Sequence, residues 1–275
     1  VTQARHLVNG REDHLVDVGD RGLQYGDGCF ETIAIRDGRP LLWQSHMERL
    51  RRGLMRLGID VDFSDDELED ECAGLADGMD RAILKMTVTR GTGQRGHRAR
   101  PGVRTTRITS LYAWPDLPAR IFQQGMRVCL CRTRVSRNRR LAGIKHLNCL
   151  PQVLARNEWD DEYDEGVMLD ESDHVVEGTM TNIFLQVDGR LVTPRLEQAG
   201  VEGVMRQQVL REVRDLGYDC VEDDVTLAIL EQASGMILTN SVLGVMGVAE
   251  FDDRTLSKVE CLQGLRERLR DVVAT

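Results

Sequence analysis

No stretch of this sequence is apolar over anything like the roughly 20 residues needed to cross a bilayer. Its opening segment, VTQARHLVNG, also lacks an apolar run of about 7–15 residues such as a secretory signal carries. Both absences lead to the expectation of a soluble, cytoplasmic protein with no membrane partner. Positive charge is in deficit as well, since 36 Lys and Arg stand against 45 Asp and Glu for a formal net charge of −9. Such a balance argues against nucleic acid as the main partner and favours a small-molecule substrate. Metal-binding patterns are missing: Cys29, Cys72, Cys129, Cys131, Cys149, Cys220 and Cys261 are odd in number and contain no CxxC pair. No metal is therefore expected, and a reducing compartment is. Cys129 and Cys131 alternate with Val128 and Leu130, which reads as one face of a strand.

What is present is an interleaving of strand and helix signals over 275 residues, enough for one large domain or two smaller ones. The stretch CFETIAIRDGRPLLW reads as a strand, a tight turn at Asp37-Gly38 and a second strand. Ser45 with Glu48, and Ser64 with Glu67, have the S-x-x-E spacing of capping boxes. The first is expected to open a helix bearing Met47, Leu50, Leu54 and Leu57 at helical intervals. AILKMTVTR and TTRITSLYAW read as strands around an Arg- and Gly-rich loop. Further on come a strand in GMRVCLCRTRV, a helix after Pro151, and three short strands between Asp164 and Pro194. A helix from about Val204 to Leu216, a strand in GMILTNS and a helix from about Ser257 complete the chain. The prolines of PDLPAR, 115–120, mark a linker between an N-terminal lobe, 1–114, and a C-terminal lobe, 121–275. The fold class is α/β (or α+β), with two lobes.

Lys145 stands in the apolar stretch LAGIKHLNCL, with Leu141, Ala142, Ile144 and Leu147 about it. Either it snorkels from a helix start or its amine is a nucleophile, of the kind that bonds a carbonyl substrate or pyridoxal phosphate. A pyridoxal enzyme also needs an acid beside the pyridine nitrogen and donors for the phosphate. Glu177, after Val175-Val176 and before GTMTN, is a candidate for the first task; the competing reading is a hairpin-edge glutamate in water. For the second, GVEGVMRQQVL places Gly203, Val204 and Met205 at a helix start, where backbone amides attract an anion, and Ser241 follows a strand. None of these signals decides alone.

Taken in order, YGDGCFET, HMERL, LKMTVTRGTGQRGH, LAGIKHLN, VVEGTMTNIF, GVEGVMRQ and LTNSVLGVMGV resemble the fold-type IV pyridoxal-phosphate enzymes along nearly the whole chain. That family holds aminodeoxychorismate lyases, D-amino acid aminotransferases and branched-chain aminotransferases. The resemblance implies pyridoxal 5'-phosphate as cofactor, Lys145 as its Schiff-base lysine and Glu177 as the partner of its pyridine nitrogen. It implies Arg49 in HMERL as a phosphate ligand, with the Val204 and Met205 amides and Ser241, and with Asn240 beside them. It also implies a homodimer with active sites near the interface.

Within the family, Thr32 matches a threonine of the lyases that handles a proton on the cofactor face opposite the lysine. Lys85 and Arg95 match positions that would meet substrate carboxylates. These features imply a lyase that converts 4-amino-4-deoxychorismate to 4-aminobenzoate and pyruvate in folate biosynthesis. Two departures leave alternatives open. Arg95-Gly96-His97 has the R-x-H spacing of D-amino acid aminotransferases, and Glu31 replaces a second threonine of some lyases. The alternatives are a D-amino acid or branched-chain aminotransferase and, from another class, a non-catalytic small-molecule-binding protein.

Overall fold

The computed structural model describes residues 5–274. Two compact units are found: the first is the chain up to Pro115 with Ile144–Asn148 and Ala274, the second Asp116–Gly143 with Cys149–Val273. Strands and helices alternate in both, and the α/β class holds.

The first unit contains β1 (Arg5–Val8), β2 (Arg11–Glu12), α1 (Arg21–Tyr25), β3 (Gly28–Arg36), β4 (Arg39–Pro40), α2 (Trp43–Leu57), α3 (Asp65–Ala76), β5 (Arg81–Thr89) and β6 (Thr106–Ala113). Its sheet runs β2-β1-β6-β5-β3-β4, antiparallel throughout. Alternation decides which face is covered. Cys29, Ile33 and Ile35 of β3, Ala82, Leu84, Met86 and Val88 of β5 and Leu111 of β6 pack against Met47, Leu50 and Leu54 of α2 and Leu68, Cys72 and Leu75 of α3.

The turn at Asp37-Gly38 forms as expected, with φ of 51° and 71°, the left-handed pair that a two-residue hairpin requires. Ser64 and Glu67 make a complete capping box. The box expected at Ser45 and Glu48 does not form. Leu41 donates its N–H to Ala34 O, Leu42 takes a left-handed conformation, and α2 starts at Trp43 with no side-chain cap. Ser45 thus lies inside the helix, and Glu48 accepts from Gln44 instead.

The second unit contains α4 (Ala119–Gln123), β7 (Met126–Leu130), α5 (Leu150–Arg156), β8 (Glu165–Leu169), β9 (Val175–Gly178), β10 (Asn182–Val187), β11 (Arg190–Pro194), α6 (Val204–Asp215), β12 (Cys220–Asp223), α7 (Leu227–Gln232), β13 (Gly235–Asn240), β14 (Gly244–Phe251), β15 (Arg254–Thr255) and α8 (Leu262–Leu269). Its sheet runs β12-β11-β10-β13-β14-β7-β8-β9, with β15 beside β14. Four strands, not three, lie between Asp164 and Pro194, because the chain breaks at 179–181 to satisfy the buried Glu165 carboxylate. The last α-helix begins at Leu262 rather than Ser257, whose N–H is bonded to Ser234 O. Cys129 and Cys131 do share one core cluster.

Candidate active site

Lys145 is not at a helix start. Its segment runs extended beside the beginning of β3: Phe30 donates its N–H to Lys145 O (2.9 Å), and Leu147 donates to Gly28 O (3.1 Å). A β-bridge joins Cys29 to His146 between them. Ile144 is fully buried, and the Lys145 Nζ sits 4.4 Å from the Phe30 ring centroid, close enough for a cation–π contact. Burial and the neighbouring Lys145 charge both lower the pKa of His146, so its ring is held neutral.

Phe30 is a hub that sequence reasoning missed. Alternation sends Phe30 and Thr32 to the face of β3 away from α2, and Thr32 pairs across the sheet with Lys85, whose Nζ is 5.3 Å from the same ring. Lys85 and Lys145 therefore meet at one aromatic side chain, and Thr32 shares its face of β3. Arg95 and His97 stand exposed on a loop with a different anchor. Arg21 donates to Gly96 O and His97 O, each at 2.9 Å, and the His97 ring meets Tyr25 edge-on at 5.5 Å.

Arg49 lies on the inner side of β3, where Glu31 accepts from its Nε at 2.8 Å and its Nη2 at 2.5 Å. His46, one helical turn earlier, lies 2.7 Å from the same carboxylate. Burial pushes the Glu31 carboxyl up, but Arg49 and His46 overcome it and hold the pKa at about 2. Burial lowers the His46 pKa against the pull of Glu31, which leaves a neutral imidazole whose Nδ1–H donates to the carboxylate. The signal for this cluster was in the sequence: Glu31 occupies an inward strand position among Cys29, Ile33 and Ile35.

In the second unit Glu177 is buried, not solvated at a hairpin edge, and it accepts the Val201 N–H at 2.8 Å. The turn that follows is built on Glu165, another group that sequence reasoning missed. Its fully buried carboxylate accepts from the amides of Gly166, Thr179 and Met180 and the hydroxyls of Thr179 and Thr181. Helix α6 starts at Val204 behind Gly203, which supplies no side-chain cap, so no cap side chain competes for the first-turn amides of Val204 and Met205. A Cβ on Gly203 would lie 1.9 Å from Asn182 Oδ1. The Asn240 amide oxygen accepts from Val242 and Leu243 N–H, which forms the turn that carries Ser241.

The first unit thus holds an amine among apolar groups, and the second a buried carboxylate and a helix start without a cap; each is of the kind a pyridoxal-phosphate enzyme uses. Residues 28–251 match the family described as Amino-transferase class IV, and the chain belongs to this family of fold-type IV, pyridoxal-phosphate-dependent enzymes.

Among its relatives, an aminodeoxychorismate lyase of Vibrio harveyi is 37% identical over 252 residues, 88% of this chain and 89% of that protein. The crystal structure of 4-amino-4-deoxychorismate lyase from Pseudomonas aeruginosa superposes with a TM-score of 0.91 at 41% identity, over 97% of this chain and 98% of that one. A D-alanine aminotransferase of Bacillus licheniformis is 29% identical over 91% of this chain and 89% of its own length.

Proposed function

We propose that this enzyme is a lyase that converts 4-amino-4-deoxychorismate to 4-aminobenzoate and pyruvate, a step of folate biosynthesis. The observation that carries this reading is the meeting of Lys145 and Lys85 at the Phe30 ring, with Thr32 paired to Lys85 on the neighbouring strand, in a chain similar over nearly its full length to two such lyases. A hydroxyl apart from the reactive amine would provide a second proton carrier, which an elimination uses and a simple amino exchange does not.

When bound, pyridoxal phosphate supplies a protonated pyridine ring that accepts the electron pair released next to the substrate nitrogen. Lys145 would hold the cofactor covalently, and its amine would take the proton from the substrate ring carbon that carries the amino group. Thr32 gives a proton to the departing enolpyruvyl oxygen. Lys85 and Arg95 hold substrate carboxylates, for which a fixed cation is the natural partner. Glu177 keeps the proton on the pyridine nitrogen. Arg49, the amides of Val204 and Met205, and the Asn240-Ser241 turn hold the phosphate. Loss of the enolpyruvyl group makes the ring aromatic and supplies the driving force, so the side chains mainly position groups and carry protons.

The enzyme is further proposed to be a homodimer and, on the grounds that all seven cysteines are free thiols, to work in the reducing cytoplasm. A second reading is aminotransfer to or from a D-amino acid. It is favoured by Arg95 and His97, whose loop is fixed by Arg21 and which would together hold the α-carboxylate. Freshly made 4-amino-4-deoxychorismate supplied to the holoenzyme separates the two. Equal yields of 4-aminobenzoate and pyruvate, absent with Lys145→Ala, support the lyase. No product, together with D-alanine-driven loss of the bound cofactor's visible absorbance, supports the aminotransferase.

A further inference from the structure

The face of the first unit's sheet that turns away from α2 and α3 carries a continuous polar row. The register pairs Thr32 on β3 with Lys85 on β5, Lys85 with Ser110 on β6, and Ser110 with His6 on β1. Residues opposite one another across strands share a face, and their neighbours Ile33, Leu84, Leu111 and Leu7 all belong to the core on the other side. With about 4.8 Å between strands, the row extends roughly 14 Å from Thr32 to His6. His6 Nδ1 lies 2.8 Å from Ser110 Oγ. Ser110 is buried, whereas Lys85 reaches solvent.

Apolar groups flank the row. On one side lie Phe30, Ile108 and Val8, in register with Thr87. On the other lie Ala34, Ile83 and Tyr112, whose ring meets His6 edge-on at 6.1 Å. A small amino acid has little to offer such a surface beyond one carboxylate. A flat ring bearing a carboxylate suits it along its length, with the ring over the apolar flanks and the anion on the polar row.

We infer that Lys85 and Ser110 seat the carboxylate carried on the substrate's ring, and that His6 is a positioning residue for this seat. By donating its Nδ1–H to Ser110 Oγ, His6 leaves the Ser110 hydroxyl proton free to donate to the carboxylate. This deepens the lyase reading and rests on it.

The test uses holoenzyme carrying Ser110→Ala, His6→Phe, His6→Asn, or Ser110→Ala with His6→Phe. Two quantities are followed: turnover of 4-amino-4-deoxychorismate, and binding of 4-aminobenzoate titrated against the cofactor absorbance. Ser110→Ala and His6→Phe should each raise KM about 10-fold, a larger change than in kcat. His6→Asn, which keeps a short N–H donor, should restore KM. The double variant should be no worse than Ser110→Ala alone, because His6 acts through Ser110. An unchanged KM in His6→Phe, or losses that multiply in the double variant, would overturn the role of His6. Should the wild type yield no 4-aminobenzoate, the lyase reading fails and the titration alone decides the seat. Weaker 4-aminobenzoate binding by Ser110→Ala then supports it, and equal binding overturns it.

Discussion

Glu31 and Arg49 form a two-point ion pair in which the carboxylate is fully buried and the guanidinium nearly so, with bonds of 2.8 and 2.5 Å. Removing one partner of such a pair leaves the other charged in a desolvated place, which costs about 3–5 kcal/mol. Glu31→Ala should therefore lower the stability of the apoenzyme by roughly that amount in urea unfolding. If Arg49 grips the phosphate, the same change should also weaken cofactor binding by about 10-fold, because the guanidinium is no longer aimed. A variant of wild-type stability would show that the pair contributes nothing.

The same pair sets an acid limit. The Glu31 pKa is depressed from 4.5 to about 2, so its contribution to stability is fully present above pH 4.5 and is lost as pH falls toward 2. The stability gap between wild type and Glu31→Gln should thus be constant from pH 7 to about 5 and shrink below that, by about 3 kcal/mol in all. A gap that stays constant down to pH 2.5 would mean that the carboxylate is not held charged by Arg49 and His46.

Lys145→Ala removes the amine that the Phe30 ring and the extended segment hold in place. Turnover should fall by about 1,000-fold or more, and borohydride treatment should no longer leave cofactor attached to the 144–148 peptide. Label that persists on this peptide in the variant would assign the covalent role to another lysine.

Thr32→Val keeps the β-branched shape that suits a strand and removes only the hydroxyl. The visible spectrum of the bound cofactor should be unchanged, while kcat falls about 100-fold, the usual range for a lost proton carrier. Thr32→Ser should restore most of the rate. Equal rates in Thr32→Val and wild type would take Thr32 out of the reaction.

The parts of this structure that were legible in the sequence are those that local chemistry determines. Asp37-Gly38 can adopt the left-handed pair of a hairpin turn whatever surrounds it, and Ser64 with Glu67 satisfies its own helix end. Ser45 and Glu48 carry the same spacing and failed, because a bond from Leu41 to Ala34 starts the helix three residues earlier. Strand β7 pairs in parallel with β14, more than a hundred residues later, and no local pattern reports such a partner. Lys145 was legible as an unusual lysine, but the ring beneath it comes from Phe30, and only folding brings the two together. Glu177 gave no sign of burial, since that depends on Val201 and on the turn that Glu165 builds.

Gly203 is where packing and the phosphate amides of the proposed site meet. A methyl group there would overlap Asn182 Oδ1 at 1.9 Å, and Asn182 cannot simply turn away, because its Nδ2 donates to Val201 O at 2.8 Å. The overlap must move either the Asn182 side chain or the first turn of α6. Gly203→Ala should cost about 2 kcal/mol, in the range for an overpacked site. Asn182→Ala added to it should recover part of this loss, since the obstructing oxygen is gone, and the two changes should be clearly non-additive. If the Val204 and Met205 amides hold the phosphate, Gly203→Ala should also weaken pyridoxal phosphate more than pyridoxal, which lacks the anion. Equal weakening of both ligands would place the phosphate elsewhere.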